Sequence, residues 1–342
     1  MRYNSTRKQT DCDHTLLKEH GMRTIVEILS GGEFISGEAI SRELGVSRAA
    51  VWKRICQLKE AGWQIESGGK RGYRLICGDA LEPDLWMSRL TTRELGRGEI
   101  LYSPEVGSTN TECKQLALRG APNGSLCLCE KQTAGKGRLG RRWESPAGAG
   151  LWQSVLLRPR LAPASAPLIT LCAALAMAQA VEECCALPVR IKWPNDLVCE
   201  GRKLCGILLE MSGDMDAIES VVVGVGLNVR RAAYPPELIG KAGAIEDFTT
   251  PPLRRELLLH YLSALEHAMD ALEARGFDGI REPYAARSCT LGGRVNVSGS
   301  VNLSGVAEAL DDTGALLVRT GDGVLHRVLS GDVSVRGVMG YV

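Results

Sequence analysis

The stretch SGEAISRELGVSRAAVWKRI, residues 36–55, contains two apolar patterns with helical spacing, separated by a short turn. Ser36 is placed to cap the first pattern, and Gly45 opens the turn GVS. Ser47 is placed to cap the second pattern, whose apolar residues again fall on one helix face. Two helices joined by a three-residue glycine turn are the helix-turn-helix arrangement. We expect it to span Gly37 to Cys56.

The residues that follow predict a wing with a concentrated positive charge. WQIES and YRLIC read as two strands around the turn GGKRG. Residues 47–74 hold seven Lys and Arg but only two Glu, whereas the whole chain has a net charge of +1. This local excess favours DNA binding over a role in protein packing alone, which is the alternative for a winged helix. The residues expected to contact DNA are Ser47, Arg48, Ala49, Trp52, Lys53, Lys70 and Arg71.

The composition places few limits on function but excludes some classes. A length of 342 residues predicts two or three domains. The twelve cysteines form no CxxC pair, and no His lies at metal-ligand spacing from them, so we expect reduced thiols and no metal site. The polar start of the chain does not resemble a signal peptide, which predicts a cytoplasmic protein with a disordered arm at residues 1–21.

An uncharged segment, Leu161 to Val181, is long enough to suggest a membrane span. Pro163 and Pro167 interrupt its first third, and alanine dominates the remainder. The part able to form a helix, from Leu168, is too short to span a bilayer. We therefore expect a buried core helix and no membrane partner.

The rest of the chain predicts two further domains after a winged helix at residues 22–80. Residues 85–285 alternate strands rich in Val, Ile and Leu with helices, which indicates an α+β domain on a mostly antiparallel sheet. From residue 289 to 342, short β runs are separated by turns such as DTG and GDG. This pattern predicts a small β-barrel.

The stretch KQTAGKGRLGRRWESP, residues 131–146, is the first candidate for chemistry. Gly135, Gly137 and Gly140 have the spacing of a dinucleotide-binding loop, but the following RRWESPAGAG is a poor helix, so that interpretation fails. Interpretation as a Walker loop fails too, because Lys136 is followed by glycine and not by Ser or Thr. A basic, flexible loop suits an anionic ligand, but a solvated turn is an equally open alternative.

Three further stretches raise the odds of a ligand site. IKWPND places Lys192 between apolar neighbours at a strand end, where it can act as a fixed positive charge. GRKLCGILLE places Lys203 at the start of a strand. GSTN, residues 107–110, sets hydroxyl and amide groups at a helix N-terminus, which suits an uncharged polar group. No nucleophile–base set accompanies them, so positioning and cationic electrostatics must carry any catalysis.

In this order the motifs STN, KQTAGKGRLGRRWESP, KWPNDL, GRKLCGILLE and GVGLNV resemble the biotin protein ligase family. With the helix-turn-helix, the chain is similar to the bifunctional form that is both ligase and biotin operon repressor. The resemblance implies a central domain like that of class II aminoacyl-tRNA synthetases and a C-terminal SH3-like barrel. It also implies biotin and ATP as substrates, Mg²⁺, a biotin carboxyl carrier protein as acceptor, operator DNA, and a homodimer when the adenylate is bound.

The resemblance also implies roles for individual residues. Lys192 and Arg138 are the expected catalytic residues. The expected biotin contacts are Ser108, Thr109, Asn110, Gln132, Lys136, Gly137, Arg138 and Lys192. The expected contacts of ATP and the adenylate are Arg138, Arg141, Trp143, Lys192 and Lys203. Lys136 departs from the family, which usually has Arg there, so the forked geometry of a guanidinium is lost.

Two questions stay open on the residues alone. Asp196 and Glu210 are candidate Mg²⁺ ligands. A turn cap explains Asp196 equally well, and a strand-edge charge explains Glu210 equally well. A transcription regulator whose middle domain only senses a ligand, without ligase activity, is the alternative function. Lipoate ligation on a related fold is disfavoured, because no RxSGGG-type run is present and a winged helix is unexpected there.

Overall fold

The computed structural model divides the chain into two compact units, within residues 1–90 and 91–342. The arm expected at residues 1–21 lies outside the part of the chain that the structure describes. The described residues are 25–29, 33–60, 65–75, 79–214, 216–330 and 333–337.

The first unit contains the predicted helix-turn-helix and wing. Ser36 Oγ accepts the Ala39 N–H at 3.1 Å, and Ser47 Oγ accepts the Ala50 N–H at 3.2 Å, so both expected helix caps are confirmed. Gly45, at φ 64°, provides the left-handed turn between the helices. The elements are α1 (Ile25–Leu29), α2 (Gly37–Leu44), α3 (Arg48–Glu60) and the antiparallel pair β1 (Ile65–Ser67) and β2 (Tyr73–Leu75).

A seven-stranded sheet forms the centre of the second unit. Its order is β3-β4-β5-β9-β8-β7-β6, and only the β3–β4 pair is parallel among these strands, which confirms the mostly antiparallel sheet. The strands are β3 (Ile100–Val106), β4 (Leu126–Gln132), β5 (Gly150–Leu157), β6 (Arg190–Lys192), β7 (Asp196–Cys199), β8 (Arg202–Gly213) and β9 (Ile218–Asn228).

The described part of this unit also contains four α-helices, and the longest two pack on each other. They are α4 (Thr109–Leu118), α5 (Ala166–Cys185), α6 (Arg254–Arg275) and α7 (Arg281–Arg287). By length and composition Pro163–Cys185 could cross a membrane, yet 72% of its most apolar window is buried inside the protein. Small alanines let α5 approach its neighbours closely, and it is the core helix that the sequence predicts.

The C-terminal strands form a separate five-stranded antiparallel sheet, ordered β13-β12-β11-β10-β14. Buried and exposed residues alternate along it, as with the buried Val295 and Val297. Trp193 joins this sheet to the central domain, because its Nε1 donates to Gly314 O at 3.0 Å. The strands are β10 (Arg294–Gly299), β11 (Leu303–Leu310), β12 (Leu316–Thr320), β13 (Leu325–Val328) and β14 (Val333–Gly337).

Candidate functional site

A buried cluster of uncharged polar groups lies where α4 begins. The Thr109 N–H and hydroxyl lie 2.9 and 3.2 Å from Gln132 Oε1, the last residue of β4. Ser154 Oγ, on the neighbouring β5, lies 2.7 Å from Asn110 Oδ1 and 2.8 Å from Thr109 Oγ1. The sequence predicts three of these four residues as ligand contacts. Ser154 was not predicted, although a lone serine in the largely apolar strand GLWQSVLL indicates a buried polar contact.

The cluster depends on a glycine in the sheet and on the loop that follows β4. Gly224 pairs with Ser154 across β5 and β9, and a Cβ there would overlap the Asn110 side chain. Gln132 Nε2 donates to Ser145 Oγ at 2.8 Å, which ties the end of β4 to the far side of the loop. The side chains of Asn110 and Gln132 are thus held in fixed positions, which suits recognition of a neutral polar ligand.

The glycine-rich loop folds back on itself and onto α4. Gly137 N–H donates to Arg141 O at 2.7 Å, so the tip is a tight turn, in which Leu139 has φ 57°. Lys136 Nζ donates to Thr111 Oγ1 at 2.9 Å. The lysine that departs from the family pattern therefore contacts the first turn of α4 in this structure. The Arg142 side chain points outward and pairs with Glu144 at 3.0 Å.

Arg138 connects the loop to two other parts of the unit. Its Nη1 donates to Asn195 Oδ1 at 2.9 Å, and its Nη2 donates to the backbone oxygen of Ser330 beyond β13. Asn195, which sequence analysis missed, is itself oriented by donating to Ile207 O at 2.9 Å. One guanidinium thus links the glycine-rich loop, the WPND turn and the C-terminal sheet.

Two of the predicted lysines converge on Asp196. Lys203 Nζ lies 2.6 Å from Asp196 Oδ1, and Lys192 pairs with Asp196 across β6 and β7, which places the two side chains on the same face. Lys192 is buried, with 6% of its surface exposed. Two cations beside one carboxylate leave a net positive charge in a partly dry environment, where it attracts an anion strongly.

Trp143 occupies a space that two glycines leave open. A Cβ at Gly226 would overlap its indole ring, and Gly206 lies against the same ring. Lys203 Nζ is 5.2 Å from the ring centroid, within the range of a cation–π contact. Trp143 also packs against a cluster formed by Cys129, Ala149 and Trp152, with Ala232 alongside. The indole therefore contacts both Lys203 and this apolar cluster.

The segment after β9 supports the backbone of Lys203, a contact that the sequence did not predict. It contacts the strand that carries Lys203 through two backbone hydrogen bonds. Lys203 N–H donates to Lys241 O at 2.7 Å, and Gly243 N–H donates to Lys203 O at 2.9 Å. Its polar and proline-containing sequence, RRAAYPPELIGKAGAIED, has no periodic pattern that would have identified it.

The described cysteines act as packing groups, and some of them lie against the site, as Cys129 does against Trp143. Among the residues that the structure describes, no three His, Cys, Asp or Glu could hold a metal ion together. The ten described cysteines are free, and most are buried. Burial raises the pKa of the Cys129 thiol to about 12, as the nearby Glu130 charge also does. Such a thiol stays protonated at neutral pH and packs as a small apolar side chain.

The first unit presents a separate cationic surface. On α3, Val51 and Ile55 are buried, while Trp52 is 61% exposed. The remaining exposed residues of this face near the helix start are Arg48, Ala49 and Lys53. In the wing, the Arg71 guanidinium lies 4.1 Å from the centroid of the Phe34 ring, which restricts its position. An exposed helix face and an ordered wing arginine suit contact with a duplex.

Three family models match successive parts of the chain. Residues 22–74 match an HTH domain, residues 102–228 match the biotin/lipoate A/B protein ligase family, and residues 290–336 match the biotin protein ligase C terminal domain. The order of the three matches is the order of the winged helix, the central sheet and the C-terminal sheet.

Relatives cover nearly the whole chain. The bifunctional ligase/repressor BirA of Bacillus subtilis is 35% identical over 92% of this chain and 98% of its own length. The protein of the same name from Escherichia coli is 30% identical over 91% of this chain and 96% of its own. A solved biotin protein ligase from Aquifex aeolicus, in complex with biotin and ATP, has a TM-score of 0.62 and 29% identity. It covers 70% of this chain and 98% of its own.

Proposed function

Because the chain belongs to the family of bifunctional biotin ligase/repressors, we propose that it activates biotin with ATP and transfers it to a protein. The acceptor is a specific lysine of a biotin carboxyl carrier protein. The chain also represses biotin synthesis genes at an operator, with biotinoyl-5′-AMP as corepressor. We assign DNA binding to residues 22–80, catalysis to residues 85–285 and the C-terminal domain to residues 289–342.

One observation supports the ligase assignment most directly. A neutral hydrogen-bonding cluster at Thr109, Asn110 and Gln132 and a cationic group at Lys192 and Lys203 are built on one sheet. Biotin has the same division, because its ureido ring is neutral and polar and its valeryl chain ends in a carboxylate. The cluster suits the ureido ring, and the lysines suit the carboxylate and the phosphate that it attacks.

The chemistry proceeds in two displacements without a protein nucleophile. A carboxylate oxygen of biotin attacks the α-phosphorus of ATP, the bond to the β-phosphate oxygen breaks, and pyrophosphate leaves. The lysine amine of the acceptor then attacks the carbonyl carbon of the mixed anhydride, AMP leaves, and the amine proton passes to solvent. Lys192 and Arg138 neutralise charge that develops on phosphate oxygens, and the closed loop excludes water from the anhydride.

We assign Trp143 to the adenylate and Ser108, Lys136 and Gly137 to biotin. Trp143 suits the adenylate because its ring lies beside Lys203. Lys136 reaches the first turn of α4 through Thr111. Arg141 is exposed, so its contact with the nucleotide requires the loop to move or the phosphates to extend toward solvent.

The Mg²⁺ expected with ATP finds no dedicated site among the described residues. Asp196 is engaged by Lys203 at 2.6 Å, and Glu210 accepts a hydrogen bond from Asn110 at 2.8 Å. A small, strongly hydrated cation is commonly bound through substrate phosphates and water. We therefore propose that Mg²⁺ enters as its complex with ATP.

We propose that the adenylate promotes a homodimer, which would pair two winged helices on a two-fold operator. The support is one chain with both a winged helix and a loop suited to closing over an adenylate. Sedimentation of the protein with and without biotin and ATP tests this, and an unchanged monomer at micromolar concentration would contradict it. We also propose a cytoplasmic location, where the acceptor and the operator are found.

ATP–pyrophosphate exchange with and without biotin tests the ligase half. Exchange should depend on biotin, and Lys192→Ala should nearly abolish it. Wild-type exchange in Lys192→Ala would remove Lys192 from the mechanism. If biotin has no effect while the protein still binds DNA, the alternative of a ligand-sensing regulator without ligase activity is correct. Lipoate in place of biotin separates lipoate ligation in the same assay.

A further inference from the structure

Glu210 lies at the end of the polar cluster and has no role in the function proposed so far. Its Oε2 accepts a hydrogen bond from Asn110 Nδ2 at 2.8 Å, and its Oε1 forms an ion pair with Lys114, one turn along α4. Asn110 Nδ2 also lies 3.3 Å from Leu208 O. One carboxylate thus holds two side chains of α4, Asn110 and Lys114.

The Glu210 side chain is ionised at neutral pH. Burial alone would raise the pKa of this carboxyl group. Hydrogen bonds from Lys114 and Asn110, together with the charges of Lys114 and Lys136, outweigh burial and lower the pKa below its usual value. Glu210 is therefore a permanent acceptor and cannot donate.

A permanent acceptor fixes the orientation of the Asn110 amide. A flipped amide would place its oxygen 2.8 Å from the carboxylate oxygen, which is repulsive, so Nδ2 must face Glu210. Asn110 Oδ1 then faces Ser154 at 2.7 Å and can only accept, so the single Ser154 proton is directed at it.

The orientation of the Asn110 amide also determines how the Thr109 hydroxyl forms hydrogen bonds. Because Ser154 has used its proton, the 2.8 Å contact between Ser154 Oγ and Thr109 Oγ1 requires the proton of Thr109. The other partner of the Thr109 hydroxyl, Gln132 Oε1 at 3.2 Å, is also an acceptor. The Thr109 proton is therefore directed at Ser154 Oγ or shared with Gln132 Oε1, and the Thr109 hydroxyl can only accept a hydrogen bond from a ligand.

We infer that Glu210 is a positioning residue for biotin recognition. Acting through Asn110 and Ser154, it fixes the hydrogen bonds so that the cluster presents acceptors to the ureido N–H groups. This inference rests on the proposed function. Its physical basis is the cost of a wrongly oriented buried donor or acceptor, which is typically about a factor of ten in affinity.

The test compares Michaelis constants in ATP–pyrophosphate exchange. Glu210→Leu should raise the KM for biotin about tenfold or more and leave the KM for ATP within about twofold. Glu210→Gln, which can still accept from Asn110, should recover most of the loss. Lys114→Met removes the ion pair but leaves the Asn110 contact, and it should keep a KM for biotin close to wild type. Glu182→Gln, which breaks a half-buried ion pair with Arg287, is the matched control.

The outcomes separate the inference from the proposed function. Wild-type exchange that ignores biotin would overturn the proposed function itself. Biotin-dependent exchange with an unchanged KM for biotin in Glu210→Leu would overturn only the inference. An equal rise in Lys114→Met would also overturn it, since the ion pair and not the Asn110 orientation would then be responsible. Thermal unfolding of each variant identifies a general loss of structure.

Discussion

The glycine-rich loop begins and ends at two points held by one buried arginine. Arg254, the first residue of α6, donates from Nη1 to Glu130 Oε2 at 2.7 Å and to Gly150 O at 3.1 Å. Glu130 precedes the loop on β4, and Gly150 begins β5 after it. The Arg254 side chain is 4% exposed and the Glu130 side chain 20%. We predict that Arg254→Met lowers the stability of this unit markedly.

The magnitude follows from the two contacts. Removing one partner of a buried ion pair leaves the other charge uncompensated and typically costs about 3 to 5 kcal/mol. Because Glu130 retains some solvent access, we expect the lower end, about 3 kcal/mol. For a unit of this size that corresponds to a fall in Tm of roughly 6 to 12 °C.

Urea and thermal unfolding of the full chain provide the measurement. Arg254→Met combined with Glu130→Leu should recover much of the loss, because no charge is then left buried. Arg93→Met, which breaks a largely exposed pair with Asp270, should destabilise the protein far less than Arg254→Met does. A loss below about 1 kcal/mol in Arg254→Met, or a double variant less stable than either single one, would refute the reasoning.

Three other changes have definite expected results. Arg138→Gly removes the contacts with Asn195 and Ser330 and should release labelled adenylate faster than wild type; unchanged release would contradict this. Lys53→Ala should lower the slope of log affinity for DNA against log salt concentration by about one, the contribution of one phosphate contact. Binding measured at several salt concentrations gives this slope. Burial alone would raise the pKa of Glu266, but hydrogen bonds from the backbone N–H groups of residues 93–95 lower it. Ionised Glu266 therefore stabilises the folded state fully above the usual pKa of a glutamate, and this contribution is lost as the pH falls through the lowered pKa. The stability difference between wild type and Glu266→Gln should therefore shrink below about pH 4.

Much of the architecture could be predicted because its signals are local. Ser36 and Ser47 cap helices that each close within a few residues, and Gly45 supplies the turn between them. Helix α5 is the buried core helix expected within the uncharged segment Leu161 to Val181. The roles of site residues, in contrast, came from the family resemblance, because no single motif in the chain specifies a ligand.

The partners of the site residues were beyond local patterns. Ser154, Asn195 and Glu210 each contact a predicted residue that is 44, 57 or 100 positions away in sequence. No periodicity encodes such a pairing, since it depends on which strands become neighbours and in which register.

The sequence by itself determined the elements, their order and the family, since caps, turns and apolar spacing act over a few residues. Only the tertiary structure decided which residues of the site contact each other. By placing β5 beside β9, it sets Ser154 opposite Gly224, and the missing side chain of that glycine leaves the space that Asn110 fills. It also brings Lys136 to Thr111, and so gives the one departure in the loop a definite contact. The physical reason is that close packing and hydrogen-bond direction are properties of neighbours in space.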